Sequence, residues 1–224
     1  RLQGGNGMPV RKYRFNSREE WLQARKNHIG GSDASACVGM NPYKDNVQLW
    51  EEKTGLIIPD DISDRDYVQY GTKAEEYLRG LFSLDFPQYQ VLYEENNMFL
   101  NSDYPWMHAS LDGELIDKEG RRGVLEIKTT NILQSMQKEK WKDRIPDNYY
   151  CQVLHYLAVT EYEFAVLKAQ LKSEWGGELR IATKHYFINR KDAWEDIQYL
   201  VEAERKFWNN VTSGRRPDLI LPAI

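Results

Sequence analysis

Residues 108–130 read HASLDGELIDKEGRRGVLEIKTT, and this stretch decides the fold. Apolar and polar residues alternate on both sides of DKEGRR at 117–122, and such alternation is typical of β-strands. Gly120 can supply the positive φ that the loops of β-hairpins often need. The pattern therefore predicts two strands joined by a tight turn.

The second predicted strand, GVLEIKTT, brings charged side chains to one face. Because side chains along a strand point alternately to opposite faces, Leu125 and Ile127 are expected to pack on a core. Glu126 and Lys128 then share the other face, and Asp112 ends the predicted first strand within reach of them. Two carboxylates and a lysine at strand ends suit a divalent-metal site with a lysine beside the attacking water. The alternative is an ordinary Glu–Lys pair on the exposed face of an edge hairpin, which stabilises a sheet modestly.

Length and composition favour one large domain of a water-soluble protein. The chain has 224 residues, of which 41% are apolar and 29% charged, and its mean hydropathy is -0.70. No stretch resembles a membrane span or a secretory signal, so a cytoplasmic location is expected. Residues 1–7, RLQGGNG, show no pattern before Met8 and are interpreted as a cloning remnant, which leaves 8–224 as a single predicted domain.

Charge and metal-binding residue types limit the classes of function. Cys37 and Cys151 each lie in an apolar helical pattern, so they are expected to be buried thiols in a reducing compartment. Two cysteines and four scattered histidines do not have the ligand spacing of a zinc or iron–sulfur site. A net charge of -4 argues against a generic nucleic-acid binder, but it permits an enzyme whose basic groups line one channel.

The N-terminal part of the chain carries a helix-start signal. Ser17 followed by Glu20 is a capping box and predicts a helix over SREEWLQARK. Trp21 and Leu22 are expected on the buried side of this helix, and Arg25 lies near its end.

A glycine-rich segment, IGGSDASACVGM, follows this helix. Gly30 and Gly31 predict a tight backbone, and Ser32 is a natural N-cap for a short helix over DASACVGM. Free N–H groups and the positive end of a helix dipole would make this place an anion site. The alternative is an ordinary glycine turn with a capping serine. Asn46 is expected to cap a further helix, NVQLWEEKTG.

Residues 66–86, DYVQYGTKAEEYLRGLFSLDF, have the apolar spacing of an amphipathic helix. Glu75 and Glu76 lie in the middle of it, and one of them can face inward toward the hairpin. The alternative for either glutamate is a solvated surface charge. The residues assigned to the core are Tyr67, Tyr70, Leu78, Leu81 and Phe82.

Two helical patterns follow the hairpin. NILQSMQKEKWKD at 131–143 has lysines around Trp141, which are either a phosphate-tracking surface or ordinary solvated lysines. PDNYYCQVLHYLAVT, opened by Pro146, places Gln152 and Tyr156 four residues apart and so on one face. This pair could bond a phosphate or a metal-bound water; the alternative is a satisfied polar pair at a helix interface.

The rest of the chain continues with strands and one long helix. The remaining predicted elements are strands at 89–99, 163–170 and 178–189, a Gly176–Gly177 turn and a helix at 190–211. That helix has a core or subunit-contact stripe of Trp194, Ile197, Leu200, Val201 and Phe207. The tail at 214–224 is apolar past Pro217 and is expected to dock on a neighbouring molecule.

The order of these motifs resembles the PD-(D/E)xK nucleases, and among them the family of YqaJ-type viral recombinases and phage lambda exonuclease. The resemblance covers about residues 17–210. It is carried by WLQARKNHIGGSDASACVGMNPYK, YGTKAEEYLRGLF, LDGEL with GVLEIKTT, and YYCQVLHYLAVT. It implies an α/β (α+β) fold with a restriction-endonuclease-like core, a mixed central sheet flanked by helices. One departure is Leu111, which stands where the proline of the superfamily's name would precede Asp112.

The resemblance implies a role for each matching residue of the hairpin. Asp112, Glu126 and the carbonyl of Ile127 would bind metal, and Lys128 would position or deprotonate the nucleophilic water. Glu75 stands four residues after a glycine, as in the family's helix, and would act through the metal or its water shell.

The resemblance also implies residues that bind substrate. Arg25 and Ser32, seven apart as in the family, would bind a terminal 5′-phosphate. Gln152 would hold the scissile phosphate region, beside Tyr156 of the same QxxxY motif. A 5′-phosphate pocket would favour DNA ends over internal sites and so give exonuclease polarity.

As a whole, the resemblance implies a 5′→3′ exonuclease of linear double-stranded DNA that uses Mg²⁺, or Mn²⁺, with two ions per site. Two hard cations on carboxylates can generate a hydroxide and stabilise both the developing charge and the leaving oxygen. The enzyme would form a trimeric ring and leave 3′ single strands for an annealing protein of a phage or prophage recombination system. The alternatives are an endonuclease or structure-specific nuclease of the same fold, and a catalytically idle DNA-binding module.

Overall fold

The computed structural model describes residues 8–133 and 135–221. Within them the helices are α1 (Arg18–Lys26), α2 (Gly31–Ala34), α3 (Asn46–Lys53), α4 (Asp66–Asp85), α5 (Ser135–Glu139), α6 (Asp147–Thr160) and α7 (Trp194–Ser213). The strands are β1 (Val10–Arg14), β2 (Gln90–Leu92), β3 (Asn97–Asn101), β4 (His108–Ala109), β5 (Gly113–Ile116), β6 (Arg122–Ile132), β7 (Phe164–Trp175) and β8 (Glu178–Asn189). Residues 1–7, interpreted as a cloning remnant, lie outside the described residues, and the single domain at 8–224 stays a prediction.

Two sheets organise the described residues. The larger has the strand order β2-β5-β6-β7-β8, in which β6 and β7 are parallel and the other neighbours are antiparallel. The smaller sheet is antiparallel and has the order β1-β3-β4. The expected α/β fold with a mixed central sheet is therefore confirmed.

The predicted hairpin is confirmed as β5 and β6, and Gly120 in their turn has a φ of 80°. Leu125 and Ile127 are buried on one face of β6. Glu126 lies on the opposite face, and its side chain is only 2% exposed. Since β6 also lies between β5 and β7 in the sheet, the alternative of an exposed edge hairpin is wrong.

Helices α4 and α6 cover opposite faces of the larger sheet. Leu78 of α4 packs in one apolar cluster with Leu125 of β6. Leu157 of α6 packs in another with Val124, which has the same strand parity as Glu126. The charged face of the hairpin is therefore enclosed by α6 instead of lying open to solvent.

Two predicted strand boundaries are wrong because the chain changes sheets. The strand predicted at 89–99 is split into β2 in the larger sheet and β3 in the smaller one, with Asn96 between them at a φ of 55°. In the same way β4 belongs to the smaller sheet, so Asp112 precedes the hairpin's first strand instead of ending it. The Asn97 side chain bridges this crossing, since it bonds both the carbonyl and the N–H of Leu111, at 2.9 and 2.8 Å.

The predicted helix starts are partly confirmed. Ser17 caps α1 and accepts a backbone N–H bond of 3.2 Å from its first turn. Ser32 does not cap α2, because the helix begins at Gly31 with Gly30 as its N-cap. The cap of α3 is Asp45, whose carboxylate accepts two backbone N–H bonds, so Asn46 is the first helical residue and not the cap.

Asn46 instead holds the C-terminal segment. Its Nδ2 donates to the carbonyl of Asp218 at 2.7 Å, and its Oδ1 accepts from the N–H of Ile220 at 2.9 Å. The described part of the tail is therefore held to its own chain through its backbone, while the side chains of Leu219, Ile220 and Leu221 stay exposed. Docking of the tail on a neighbouring molecule stays a prediction. Residues 222–224 lie outside the described part.

Some residues assigned to the core or buried side are exposed, because apolar spacing marks a helix face but not how far a neighbouring layer covers it. The exposed ones are Leu22, Tyr67, Tyr70 and Leu81. Trp194 is exposed as well, so for this residue the subunit-contact alternative of its stripe stays a prediction. The helix predicted at 131–143 is also reduced to α5. Trp141 is buried, and its carbonyl accepts bonds from Lys184 and Tyr186, so it is not a surface aromatic among lysines.

The remaining predicted elements are present, with two changed bounds. Helix α6 and strand β8 with the Gly176–Gly177 turn lie where they were predicted, whereas β7 continues to Trp175 and α7 begins only at Trp194. Cys37 and Cys151 are both buried thiols. Among the described residues, no helix has the combined length and apolar character that crossing a bilayer requires.

Candidate active site

One cleft of about 670 Å³ contains every residue singled out from the sequence as catalytic, metal-binding or substrate-binding. It lies where α1, α4 and α6 meet the β5–β6 hairpin. The singled-out residues that line it are Arg25, Ser32, Glu75, Asp112, Glu126, Ile127, Lys128, Gln152 and Tyr156. Segments as far apart as residues 25 and 156 thus meet at one place.

Glu126 is the centre of the polar contacts in this cleft. Its Oε1 accepts from Lys128 Nζ at 2.7 Å and from Gln152 Nε2 at 2.8 Å. Its Oε2 is buried and finds no hydrogen-bond partner among the residues that the structure describes. Asp112 lies beside it, with Oδ2 accepting the N–H of Ile127 at 2.8 Å. One buried carboxylate oxygen is therefore left for a ligand.

The carboxyl groups of the cleft hold their protons unusually strongly. Burial, followed by the negative charge of Asp112, raises the pKa of Glu126 to about 8 and that of Glu75 to about 7. Burial also raises the pKa of Asp112, although Lys128 and the N–H of Ile127 counteract it. Burial alone would lower the pKa of Lys128, but Glu126 and Asp112 raise it above its ordinary value. Burial is thus the main reason why these carboxyl groups favour their protonated forms.

The donor set of this cleft fits a hard divalent cation. Adjacent buried carboxylates with raised pKa values become stable anions when a cation neutralises them. No cluster of three or more His, Cys, Asp or Glu side chains in the described residues is arranged as a metal site by itself. Asp112 and Glu126 could therefore hold a metal only with help from a backbone carbonyl, such as that of Ile127, and from water. Mg²⁺ is commonly bound in this way, by one or two carboxylates and several waters.

Gln152 and Tyr156 form the wall of the cleft on α6. Gln152 Nε2 donates to the Tyr156 hydroxyl at 2.9 Å as well as to Glu126. The glycine segment packs directly on this wall, since a Cβ on Gly31 would lie 2.4 Å from the Tyr156 ring. The two glycines are thus more than an ordinary turn, because they let Ser32 approach the cleft.

The expected anion site at these glycines is only partly available. The N–H of Gly30 already donates to the Asp33 carboxylate at 3.2 Å. Asp33 in turn pairs with Lys53 at 2.8 Å. Ser32 is exposed and lies inside the first turn of α2, so its hydroxyl can reach a ligand in the cleft without acting as a helix cap.

Arg25 is held in place by an aromatic ring. Its guanidinium lies 4.3 Å from the centre of the Trp21 ring. Trp21 Nε1 donates to the carbonyl of Asn97 at 2.9 Å and to Ser110 Oγ at 3.2 Å. A cation on α1 is thereby fixed against the β3 side of the cleft.

Arg79 is a cleft residue that the sequence reasoning missed. Its Nε donates to the carbonyl of Asp112 at 2.7 Å, and its guanidinium lies 3.6 Å from the centre of the Tyr93 ring. Arg79 also lowers the pKa values of Glu75 and Asp112, against the larger effect of burial. Its spacing of four residues from Glu75, which puts both on one helix face, was the signal that could have found it.

We expect Glu126 to contribute stability to the metal-free protein that is lost as the pH rises from about 4.5 to about 8. The folded protein keeps the proton of Glu126 through this window, whereas the unfolded chain releases it near the ordinary value of 4.5. Because the folded state binds more protons, it is favoured at the acidic end of the window. Urea unfolding in EDTA at both ends, for the wild type and for Glu126→Gln, measures the effect.

Removal of this titrating group should make the slope of the unfolding free energy against pH less negative in Glu126→Gln than in the wild type. Glu178→Gln, at an exposed glutamate of β8, is the matched control and should retain the wild-type slope. A Glu126→Gln slope equal to that of the wild type would contradict the raised pKa.

The fold and the cleft together define a class of protein. A mixed sheet with an Asp directly before its central hairpin and a Glu-x-Lys on the hairpin's second strand, with helices on both faces, is the PD-(D/E)xK nuclease architecture. The model of the YqaJ-like viral recombinase domain matches residues 20–163. The chain belongs to this family.

Comparison with individual proteins agrees with this assignment. The chain is 32% identical over 210 residues to the uncharacterised protein YqaJ of Bacillus subtilis (strain 168), covering 91% of this chain and 59% of YqaJ. It therefore spans about three fifths of the length of this relative. An alkaline exonuclease of Laribacter hongkongensis, LHK-Exo, has a similar fold, with a TM-score of 0.60 at 17% identity over 88% of this chain and 96% of that one. The same enzyme in complex with dAMP gives a TM-score of 0.61 at 18% identity, with the same coverage.

Proposed function

We propose that this protein is a metal-dependent exonuclease that degrades linear double-stranded DNA in the 5′→3′ direction and leaves 3′ single strands for recombination. The observation that carries the proposal is that half-buried Asp112 and Lys128 meet the buried Glu126, whose Oε2 is unpartnered among the described residues. Membership of a viral recombinase family supports the recombination role.

Asp112, Glu126 and the carbonyl of Ile127 would hold Mg²⁺, or Mn²⁺ in its place, with Glu75 bound to the metal or to its waters. The raised pKa of each carboxyl group fits this assignment, because a cation would replace the protons. A bound pair of such ions would polarise the phosphate and lower the pKa of an attacking water.

Lys128 would hold the attacking water and stabilise charge on the phosphate. Its pKa is raised by Glu126 and Asp112, so the ammonium keeps its proton and acts as a hydrogen-bond donor. The 2.7 Å bond to Glu126 fixes its position. Positioning is therefore favoured over deprotonation as the role of Lys128. Gln152 and Tyr156, bonded to one another, would orient Glu126 and the scissile phosphate region.

Arg25 and Ser32 would bind the 5′-phosphate of a DNA end. Both line the cleft that holds the hairpin carboxylates. A guanidinium offers paired donors that match phosphate oxygens, and the Trp21 ring restricts its motion. The LHK-Exo complex with dAMP supports nucleotide binding on this fold. A ring-shaped trimer and a single-strand annealing partner complete the proposal for the whole protein.

The test is digestion of a 5′-phosphorylated linear duplex in Mg²⁺, with a label at each end in turn. The proposal expects loss of nucleotides from the 5′ ends, release of mononucleotides and retention of the opposite strand. A covalently closed circle of the same sequence is the control and should stay intact. Cleavage of the circle would favour an endonuclease, and binding without any cleavage would favour an idle DNA-binding module.

We expect Arg25→Ala to lose the preference for phosphorylated ends. The wild type should degrade a 5′-phosphorylated duplex faster than a 5′-hydroxyl duplex, by about tenfold or more for one charge-assisted phosphate contact. The variant should degrade both at the slower rate. Lys26→Ala, at the neighbouring exposed cation of α1, is the matched control and should keep the preference. An unchanged preference of Arg25→Ala for 5′-phosphorylated ends would contradict the proposed role of Arg25 in binding the 5′-phosphate.

A further inference from the structure

A second groove adjoins the candidate active site. It encloses about 690 Å³ at the end of β6 beyond Lys128, between the first turns of α4 and α6 and the loop before α3. We call it the tyrosine groove, after its main lining residues Tyr43, Tyr67, Tyr70 and Tyr149. Its floor includes Thr130, which lies two strand residues, or about 7 Å, beyond Lys128. Ser32 lines both the groove and the cleft, so a chain leaving the cleft can enter the groove directly.

Two of the tyrosine rings are open to a ligand, whereas Tyr149 also packs against the core beside Trp141. Tyr43 is 81% exposed and Tyr67 is 57% exposed. Asn41 fixes the loop that carries Tyr43, because its Oδ1 accepts the backbone N–H of Tyr43 at 2.9 Å and that of Lys44 at 3.1 Å. Partial desolvation and the nearby hydroxyls of Tyr149 and Tyr67 raise the pKa of Tyr43. The three rings therefore border one space.

The groove also holds a cation that no carboxylate neutralises in the described part of the chain. Lys172 Nζ lies 3.2 Å from the centre of the Tyr70 ring, and the Tyr70 hydroxyl donates to Gln170 at 2.8 Å. The other charges of the lining are paired within the protein: Lys44 with Glu52, and Asp33 with Lys53. Lys172 is thus held at the groove wall with its N–H donors available for a phosphate.

Exposed rings beside a fixed cation match one class of ligand in particular. Unpaired nucleotides offer bases that stack on aromatic rings and a phosphate chain that binds cations. A DNA duplex does not fit as well, because its bases are covered by their neighbours in the stack. A small apolar ligand would gain nothing from Lys172.

We propose that the tyrosine groove binds a short single-stranded segment of the DNA strand that passes through the active site, with bases stacked on Tyr43 and Tyr67 and a phosphate on Lys172. This inference rests on the proposed nuclease function and adds a place where the strand is held unpaired. Holding the strand there would separate it from its complement next to the point of cleavage.

The test measures binding of a short fluorescent oligothymidylate in EDTA, where cleavage is blocked, by fluorescence anisotropy. The probes are this oligonucleotide and an abasic chain of the same length. The wild type should bind the oligothymidylate more tightly, since stacking contributes about tenfold per base. The double variant Tyr43→Ala, Tyr67→Ala should lose this preference, and Tyr43→Phe, Tyr67→Phe should keep it.

Tyr77→Ala is the matched control, because Tyr77 lies on the same helix as Tyr67, is 72% exposed and does not line the groove. It should bind both probes as the wild type does. Lys172→Gln should make the negative slope of log affinity against log salt less steep by about 0.7, the value for one contact to a single-strand phosphate.

Two results would contradict the proposal that the tyrosine groove binds unpaired nucleotides. One is equal affinity of the wild type for the two probes, and the other is wild-type preference in the alanine double variant. Because these measurements exclude cleavage, they separate the groove from the nuclease. Base stacking without DNA cleavage in Mg²⁺ would support the groove proposal and contradict the nuclease proposal. DNA cleavage without base stacking would support the nuclease proposal and contradict the groove proposal.

Discussion

Lys128→Ala is expected to lower the rate of DNA cleavage by about 10³-fold, the scale reported for removal of one positioned proton-transfer or charge-stabilising group. The ammonium lies 2.7 Å from Glu126 and is flanked by Asp112, so it is placed where an attacking water and a phosphate would meet. Cleavage of an end-labelled duplex in Mg²⁺ measures the loss. DNA affinity in EDTA should change by less than about threefold, since only one of several phosphate contacts is removed.

Lys140→Ala controls for the loss of a lysine charge. Lys140 is exposed near α5, and its removal should leave cleavage at the wild-type rate. Lys128→Arg keeps the positive charge but alters the donor geometry, so it should recover only part of the activity. Wild-type activity in Lys128→Ala would show that the hairpin does not form the catalytic site.

Asp112→Asn is expected to weaken binding of Mg²⁺ or Mn²⁺ by more than about 100-fold, beyond the 10–100-fold typical of residues that only support metal ligands. The amide keeps an oxygen that can accept the N–H of Ile127, now bonded at 2.8 Å, so the hairpin should stay folded. It removes the negative charge that the cation would neutralise. Calorimetric titration of each protein with the metal measures the change.

The metal-free Asp112→Asn variant should be more stable than the wild type, although it binds metal more weakly. In the metal-free protein the negative charge of Asp112 raises the pKa values of Glu126 and Glu75, so its removal should raise the melting temperature. Asp103→Asn, at an exposed aspartate, is the control and should change neither quantity. Unchanged metal affinity in Asp112→Asn would show that the cation binds elsewhere.

The parts of the fold with a strong local pattern could be predicted from the sequence. The alternation around Glu126 predicted β6, and the spacing of Gln152 and Tyr156 predicted the face that α6 turns to it. The change of sheet before Asp112 could not be predicted, because it depends on the Asn97 side chain bonding Leu111 across fourteen residues. No periodicity in the sequence marks such a contact.

The candidate site shows the same division. The choice of Glu75 over Glu76 came from the resemblance, and Glu75 is the less exposed of the two, with a pKa raised by burial and by Asp112. Arg79 was missed because its contact is with a backbone carbonyl of another segment, that of Asp112. Residue types indicate chemistry, but backbone partners become visible only when the chain is folded.

The central claim is that Asp112 and Glu126 share a divalent cation beside Lys128. The most direct measurement is the anomalous scattering of Mn²⁺ in crystals of the protein grown with that ion. We expect a peak between the two carboxylates, in contact with the Glu126 oxygen that finds no partner among the described residues. Bound Mn²⁺ at another place, with both carboxylates left free of it, would contradict the claim.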